Sequence, residues 1–161
     1  MTDDAKLVIG KALGRVPSGV YILTATLGGE SAAMLVSWVQ QAAFAPPALS
    51  IAVAKERPVR RLIDAGAVFA VCVLGKSNNA LMKKYARGIP EGQDPFAGVT
   101  TGKTPGGAVY LVDALAYLEC RLLKTIDFGG DHDVYVAEVI GGQLLKDEPS
   151  FMHVRGNGFH Y

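Results

Sequence analysis

From Val20 onward the chain is written in short apolar or alternating runs separated by glycine, proline and serine, the pattern of strands joined by turns. VYILTAT, Val20 to Thr26, is apolar or β-branched almost throughout and predicts a central strand, with Gly28-Gly29 as the turn after it. AAMLVSW, Ala32 to Trp38, predicts its hairpin partner, and QQAAFAPP predicts a loop. In ALSIAVA, Leu49, Ile51 and Val53 alternate with Ser50, Ala52 and Ala54, a strand whose small face leaves room for something flat. AVFAVCVL predicts another strand. Ala108 to Phe128 predicts a short and a long strand around Asp113, and Val134 to Leu145 one more.

Helical signals are fewer. Thr2 or Asp3 caps a short helix carrying Leu7, Val8 and Leu13 and stopped by Gly14. Pro58 opens a second, with Val59, Leu62 and Ile63 on one side, ending near Gly66. Ser77 caps a third through Leu81, Met82 and Tyr85, which stops at Gly88. From Ile89 to Gly107 the chain reads as a loop broken by Pro90, Pro95 and Pro105, longer than most connections and suited to covering a site. About seven strands with about three short helices predict a mainly β, antiparallel barrel, because a doubly wound sheet needs a helix after nearly every strand.

Composition narrows the classes. The 161 residues are expected to form one domain, 1–161, with 50% hydrophobic and 19% charged residues. Sixteen basic against fifteen acidic residues leave a net charge of +1, too little for a nucleic-acid binder. Cys72 and Cys120 each sit in an apolar run and read as buried hydrophobes, which fits a reducing, cytoplasmic setting. The start of the chain lacks a basic, then apolar, secretory leader, and no apolar run reaches the roughly 18 residues of a membrane span.

Catalytic motifs are sparse: there is no Gly-x-Ser-x-Gly, no Walker loop, no Gly-x-Gly-x-x-Gly and no paired cysteines. His132, His153 and His160 are too far apart in sequence for the usual metal-ligand spacing, so no metal site is expected and a cofactor is left to carry any reaction. Two segments suit one. LVSWVQQAAFAPP places Ser37, Gln40 and Gln41 at a strand end beside Trp38; its plain alternative is a strand end and turn with Trp38 as core. AVAKERPVRR places Lys55, Arg57, Arg60 and Arg61 where a strand gives way to a helix, a setting that favours an anion or else a solvated charged face. A third segment, Gly129-Gly130-Asp131-His132-Asp133, fits a metal ligand, a tuned acid or base, or a polar loop tip.

Taken in order, Pro17-Ser18-Gly19-Val20 with Thr24, Val36-Ser37 before Pro46-Pro47, Lys55, Phe69-Ala70-Val71 with Leu74, Leu118-Glu119-Cys120 and Gly130-Asp131-His132 resemble the flavin reductase family of FMN-binding split barrels. The resemblance covers nearly the whole chain. More narrowly, Ala12-Leu13-Gly14-Arg15, Ser37-Trp38-Val39-Gln40-Gln41-Ala42 and Ala52-Val53-Ala54-Lys55 resemble the carboxy-terminal flavin reductase module of cyanobacterial diflavin flavodiiron proteins.

The resemblance implies a Greek-key split barrel that pairs as a homodimer and holds FMN, with FAD as a second candidate, in a groove at the dimer interface. Its flavin contacts correspond to Leu35, Val36, Ser37, Trp38, Gln40 and Gln41, to Ala52, and to Lys55, Glu56 and Arg57, with Lys55 and Arg57 facing the phosphate. His132 of the Gly-Asp-His motif would border the flavin and the nicotinamide of NAD(P)H. Relatives commonly carry serine where Trp38 and Ala43 stand and another near Arg57, and arginine suits phosphate through charge rather than a hydroxyl. The expected activity is NAD(P)H:flavin oxidoreduction, with electrons passed to oxygen or to flavodoxin-like and di-iron modules of a parent protein. The alternatives are a non-catalytic flavin-binding or assembly module, the reductase component of a two-component monooxygenase, and a small-ligand barrel without flavin. The chain is expected to be either an excised carboxy-terminal module or a free-standing relative.

Overall fold

The computed structural model describes residues 1–159, so His160 and Tyr161 lie outside the described residues. After helix α1 (Asp3–Leu13) and the short strand β1 (Ser18–Gly19) come two hairpins, β2 (Tyr21–Leu27) with β3 (Glu30–Val36), and β4 (Val39–Phe44) with β5 (Pro47–Ala54). Helix α2 (Val59–Asp64) and strand β6 (Phe69–Val73) follow, then α3 (Asn79–Ala86) and the small hairpin of β7 (Thr101–Lys103) and β8 (Val109–Leu111). The long strands β9 (Ala116–Ile126) and β10 (His132–Leu144) and the short β11 (Met152–His153) complete the chain.

Seven strands form one antiparallel sheet in the order β3-β2-β6-β9-β10-β5-β4. The two end strands, β3 and β4, are consecutive in the chain and joined only by Ser37 and Trp38. Three Cα steps span at most about 11 Å, whereas the ends of a flat seven-stranded sheet stand roughly 29 Å apart. The sheet must therefore curl until its ends meet, which makes it a barrel split between β3 and β4. The split falls on the segment that the sequence marks for a cofactor.

β2 is apolar on both faces because both are covered. Leu23 and Ala25 join Val36, Ile51, Val53, Phe69, Val71 and Tyr135 in one cluster closed by Val59, Leu62 and Ile63 of α2. Val20 and Ile22 join Cys72, Leu74, Leu111 and Tyr117 in a second cluster beneath Leu81 and Tyr85 of α3. Both cysteines are free and buried, and burial pushes each thiol up to about 12.

Three sequence expectations are corrected. QQAAFAPP is a strand through Phe44, since β4 pairs with β5 through a bulge between Gln41 and Ala43; as an edge strand with Gln40, Gln41 and Ala42 all exposed it lacks the apolar alternation that marks inner strands. α3 takes Asn78 rather than Ser77 as its N-cap residue, because the Ser77 hydroxyl bonds the Glu148 carboxylate at 2.6 Å. The segment from Ile89 to Gly107 holds β7, a three-residue strand that pairs with β8 just beyond the segment's end. At the amino terminus Thr2 is the cap, its hydroxyl accepting from the Ala5 N–H at 3.3 Å. The apolar side chains Leu7, Val8 and Leu13 of α1 stay exposed.

Candidate functional site

Two adjoining cavities flank the split. The first, about 660 Å³, runs along β3 past Leu35 and Val36, over Ala52 and Ala54 of β5, to Arg57 and Arg61, with Glu30 at its rim. Ile89 to Gln93, from the segment read as a covering loop, line its far side together with Gly88. The second, about 720 Å³, is lined by Ser37, Trp38, Gln40, Ser50, Ala52, Asp131 and His132, and by Arg155 and Phe159 near the end of the described chain. His132 and Ala52 line both.

β-pairing explains why these residues meet. His132 opens β10 opposite Ala54, the last residue of β5, and the Lys55 N–H continues the ladder to the Asp131 carbonyl at 3.0 Å. His132 is therefore a strand residue held at a fixed place beside the small face of β5, not a loop tip. Its ring centroid stands 4.9 Å from that of Trp38, tilted by 52°, and the Arg155 guanidinium carbon lies 5.2 Å over the Trp38 ring. Trp38 is half-buried at the cavity wall rather than core.

The electrostatics are as local. His132 Nδ1 and Asp131 Oδ1 are 2.9 Å apart, and this hydrogen bond is the main cause holding the exposed Asp131 carboxyl below its ordinary value. Lys55 Nζ donates to Asp127 Oδ1 at 2.9 Å, which raises the Lys55 pKa and lowers that of Asp127. Arg57 Nε lies 3.8 Å from Glu56 Oε1.

The structure brings Leu35, Val36, Ala52, Arg57 and His132 to the first cavity, and Ser37, Trp38, Gln40, Ala52 and His132 to the second. Gln41, Lys55 and Glu56 line neither: Gln41 and Glu56 are exposed, and Lys55 is turned toward Asp127. Sequence reasoning missed Arg155, whose apolar and glycine neighbours give no sign that it returns to Trp38, and Glu30, which looked like an ordinary hairpin residue. Among the described residues no group of three or more His, Cys, Asp or Glu is placed to hold a metal ion, and no helix is long and apolar enough to cross a membrane.

The flavin reductase like domain family matches residues 13–159. The chain belongs to this family. Similar relatives are a putative diflavin flavoprotein A 3 of Synechocystis sp., 42% identical over 152 residues, and one of the same name from Nostoc sp., 43% identical over 155. These alignments cover 94% and 95% of this chain but 25% and 27% of the relatives, so the chain spans about a quarter of their length. Among solved structures, the NADH:FAD oxidoreductase SgcE6 of Streptomyces globisporus C-1027 is 27% identical with a TM-score of 0.83, over 96% of this chain and 91% of that one. The flavin reductase HpaC, solved with NADP+, is 27% identical with a TM-score of 0.78, over 91% and 92%. The chain is thus a flavin reductase like domain.

The residues at the split fit a flavin. Ser37 is 3% exposed and its Oγ has no hydrogen-bond partner, an orphaned donor and acceptor on the wall of the second cavity. The small side chains of Ala52 and Ala54 leave the first cavity's wall flat, and Arg57 and Arg61 give it cationic groups suited to an anionic tail.

Proposed function

We propose that this domain is an FMN-dependent NAD(P)H:flavin oxidoreductase that works as a homodimer, with FAD as the alternative flavin. The observation that carries this reading is His132 set between two cavities, one ending at Arg57 and the other containing the orphaned Ser37 hydroxyl. Bound flavin supplies the hydride-accepting ring, so no protein nucleophile is required.

The chain's own residues bind and orient. Leu35, Val36 and Ala52 give the ring an apolar wall, and the backbone N–H groups between Ser37 and Gln41 are our assignment for stabilising negative charge on the reduced ring. Gln40 and Gln41 add amide groups at the same strand, with Gln40 on the second cavity's wall. The Asp131 carboxylate selects the His132 tautomer with its proton on Nδ1, which leaves Nε2 as an acceptor for a carboxamide N–H of the nicotinamide. Trp38 packs against the same ring and limits its rotation.

The experiment is direct. Purified protein is expected to take up FMN, and rapid mixing with NADH or NADPH should bleach the oxidised flavin's visible absorbance in a single turnover. Flavin binding with no bleaching by either nucleotide would favour a non-catalytic flavin-binding module instead.

Arg57 marks the phosphate end, with Lys55 and Glu56 beside it at the close of β5. A charge-assisted hydrogen bond is worth about 1.5–3 kcal/mol, so Arg57→Ala should weaken FMN binding about tenfold or more, and Lys55→Ala less, because Lys55 lines neither cavity and is held by Asp127. Riboflavin, which has no phosphate, should bind both variants as it binds the parent. Equal losses for the two ligands in fluorescence titrations would remove the phosphate from this end.

The dimer is supported by apolar surface that one chain leaves uncovered. Phe44, at the end of edge strand β4, is 90% exposed, and Val8 of α1 is 68% exposed. Two-fold pairing is the commonest way to cover such surface. Beyond the domain, we propose that the reduced flavin delivers electrons to oxygen or, as part of a longer diflavin protein, to a flavodoxin-like module and a di-iron centre, since the relatives that this chain matches are named diflavin flavoproteins and are about four times its length. Transfer of bleaching from this domain to an added flavodoxin-like and di-iron partner would test that delivery; reoxidation at a rate set by oxygen alone would leave oxygen as the acceptor.

A further inference from the structure

His132 is braced from behind. Along β10 His132, Val134 and Val136 share one face, and Asp133, Tyr135 and Ala137 share the other, which is buried. Asp133 is 4% exposed and lines neither cavity, so contact with a ligand does not account for a carboxylate in so costly a place.

What surrounds it is cationic. Arg60 of α2 donates from Nη2 to Asp133 Oδ2, and from Nε to Tyr135 Oη at 3.2 Å. Tyr135 Oη in turn donates to Asp64 Oδ1, on the same helix, at 2.7 Å. On the other side Lys55 Nζ stands 3.5 Å from Asp133 Oδ1, an ion pair that leaves this oxygen without a hydrogen bond. Asp133, the strand residue next to His132, is thus tied to the first turn of α2 and to the end of β5.

We propose that Asp133 and Arg60 are positioning residues: by clamping the buried face of β10 to α2, they fix the direction in which His132 projects between the two cavities. Successive side chains of a strand are set on opposite faces, so a twist that frees Asp133 turns His132 by the same angle. A displacement of about 1 Å at a reacting site can cost on the order of 10²-fold in rate. The inference rests on the assignment of His132 to the nicotinamide end, and adds the residues that aim it.

The test is a pair of cycles with His132→Ala. Asp133→Asn keeps the shape and removes the charge. It should lower the limiting rate of single-turnover flavin reduction about tenfold while FMN affinity changes less than about threefold. Because Asp133 acts through His132, the double variant should be no slower than His132→Ala alone. A second readout needs neither flavin nor turnover. Trp38 is the only tryptophan and lies against His132, so its emission and near-ultraviolet circular dichroism should move in Asp133→Asn in the direction seen for His132→Ala. The double variant should match His132→Ala in this signal too. Multiplicative losses, or a rate and Trp38 signal equal to wild type in Asp133→Asn, would overturn the proposal. If Asp133→Asn does not fold, Arg60→Lys, which keeps the charge but not the fork to Asp133 and Tyr135, enters the same cycles and is judged by the same results. A wild-type protein that binds flavin but is not reduced would remove the nicotinamide reading, and the Trp38 cycle alone would then decide whether Asp133 and Arg60 aim His132.

Discussion

His132→Ala is expected to slow hydride transfer to bound flavin by about 10²-fold, or to raise the NAD(P)H Michaelis constant, while FMN binding and folding stay near wild type. A positioned side chain beside a reacting centre commonly contributes about that much. The ring is only partly buried, and its hydrogen bond goes to Asp131, which is exposed, so its removal opens no core cavity. Trp38 loses a neighbour, but the barrel loses no packing between its clusters. Single-turnover reduction over a range of NADH and NADPH concentrations separates the two effects: a lower plateau reports chemistry and orientation, a shifted half-saturation reports binding. An unchanged plateau together with unchanged half-saturation would reduce Gly130 to Asp133 to a strand entry with no part in the reaction.

Much of this architecture is legible in the sequence because barrel strands carry their burial openly. β2 and β6 are apolar on both faces since both clusters claim them, and β5 shows its alternation since one face meets the core and the other a cavity. β4 escaped because Gln40, Gln41 and Ala42 are exposed and the bulge after Gln41 breaks the period, so local pattern carries no strand signal there. β7 escaped for a different reason, its three residues being strand only by virtue of β8.

The candidate site divides the same way. Ser37, Trp38 and His132 stand out by type and place, and the structure sets them within one wall although nearly a hundred positions separate the first two from the third. Lys55 stood out too, yet sequence could not show that its ammonium would rest on Asp127 and approach Asp133, because those acids lie across a strand pairing. Asp133 itself reads as half of a polar turn. Only register reveals that it faces inward while His132 faces the cavities, since a shift of one residue would exchange the two.

The remaining large effect concerns assembly. Dilution below the dimer dissociation constant should release the flavin, and Phe44→Ala should raise that constant about 30-fold or more. Both cavities are open at the split, and one chain of this size covers a flavin less completely than two. Phe44 is the large apolar side chain most exposed on the sheet, and an anchoring aromatic removed from an interface costs at least about 2 kcal/mol, which is about 30-fold in affinity. It lies on the edge strand away from both cavity walls, so within one chain its loss should leave flavin contacts intact. Light scattering and flavin fluorescence followed together across a dilution series distinguish the cases. Flavin released in step with dissociation, at higher protein concentration in Phe44→Ala than in wild type, supports a shared site. A monomer that still holds FMN tightly would place the whole flavin site within one chain and leave Phe44 as ordinary exposed surface.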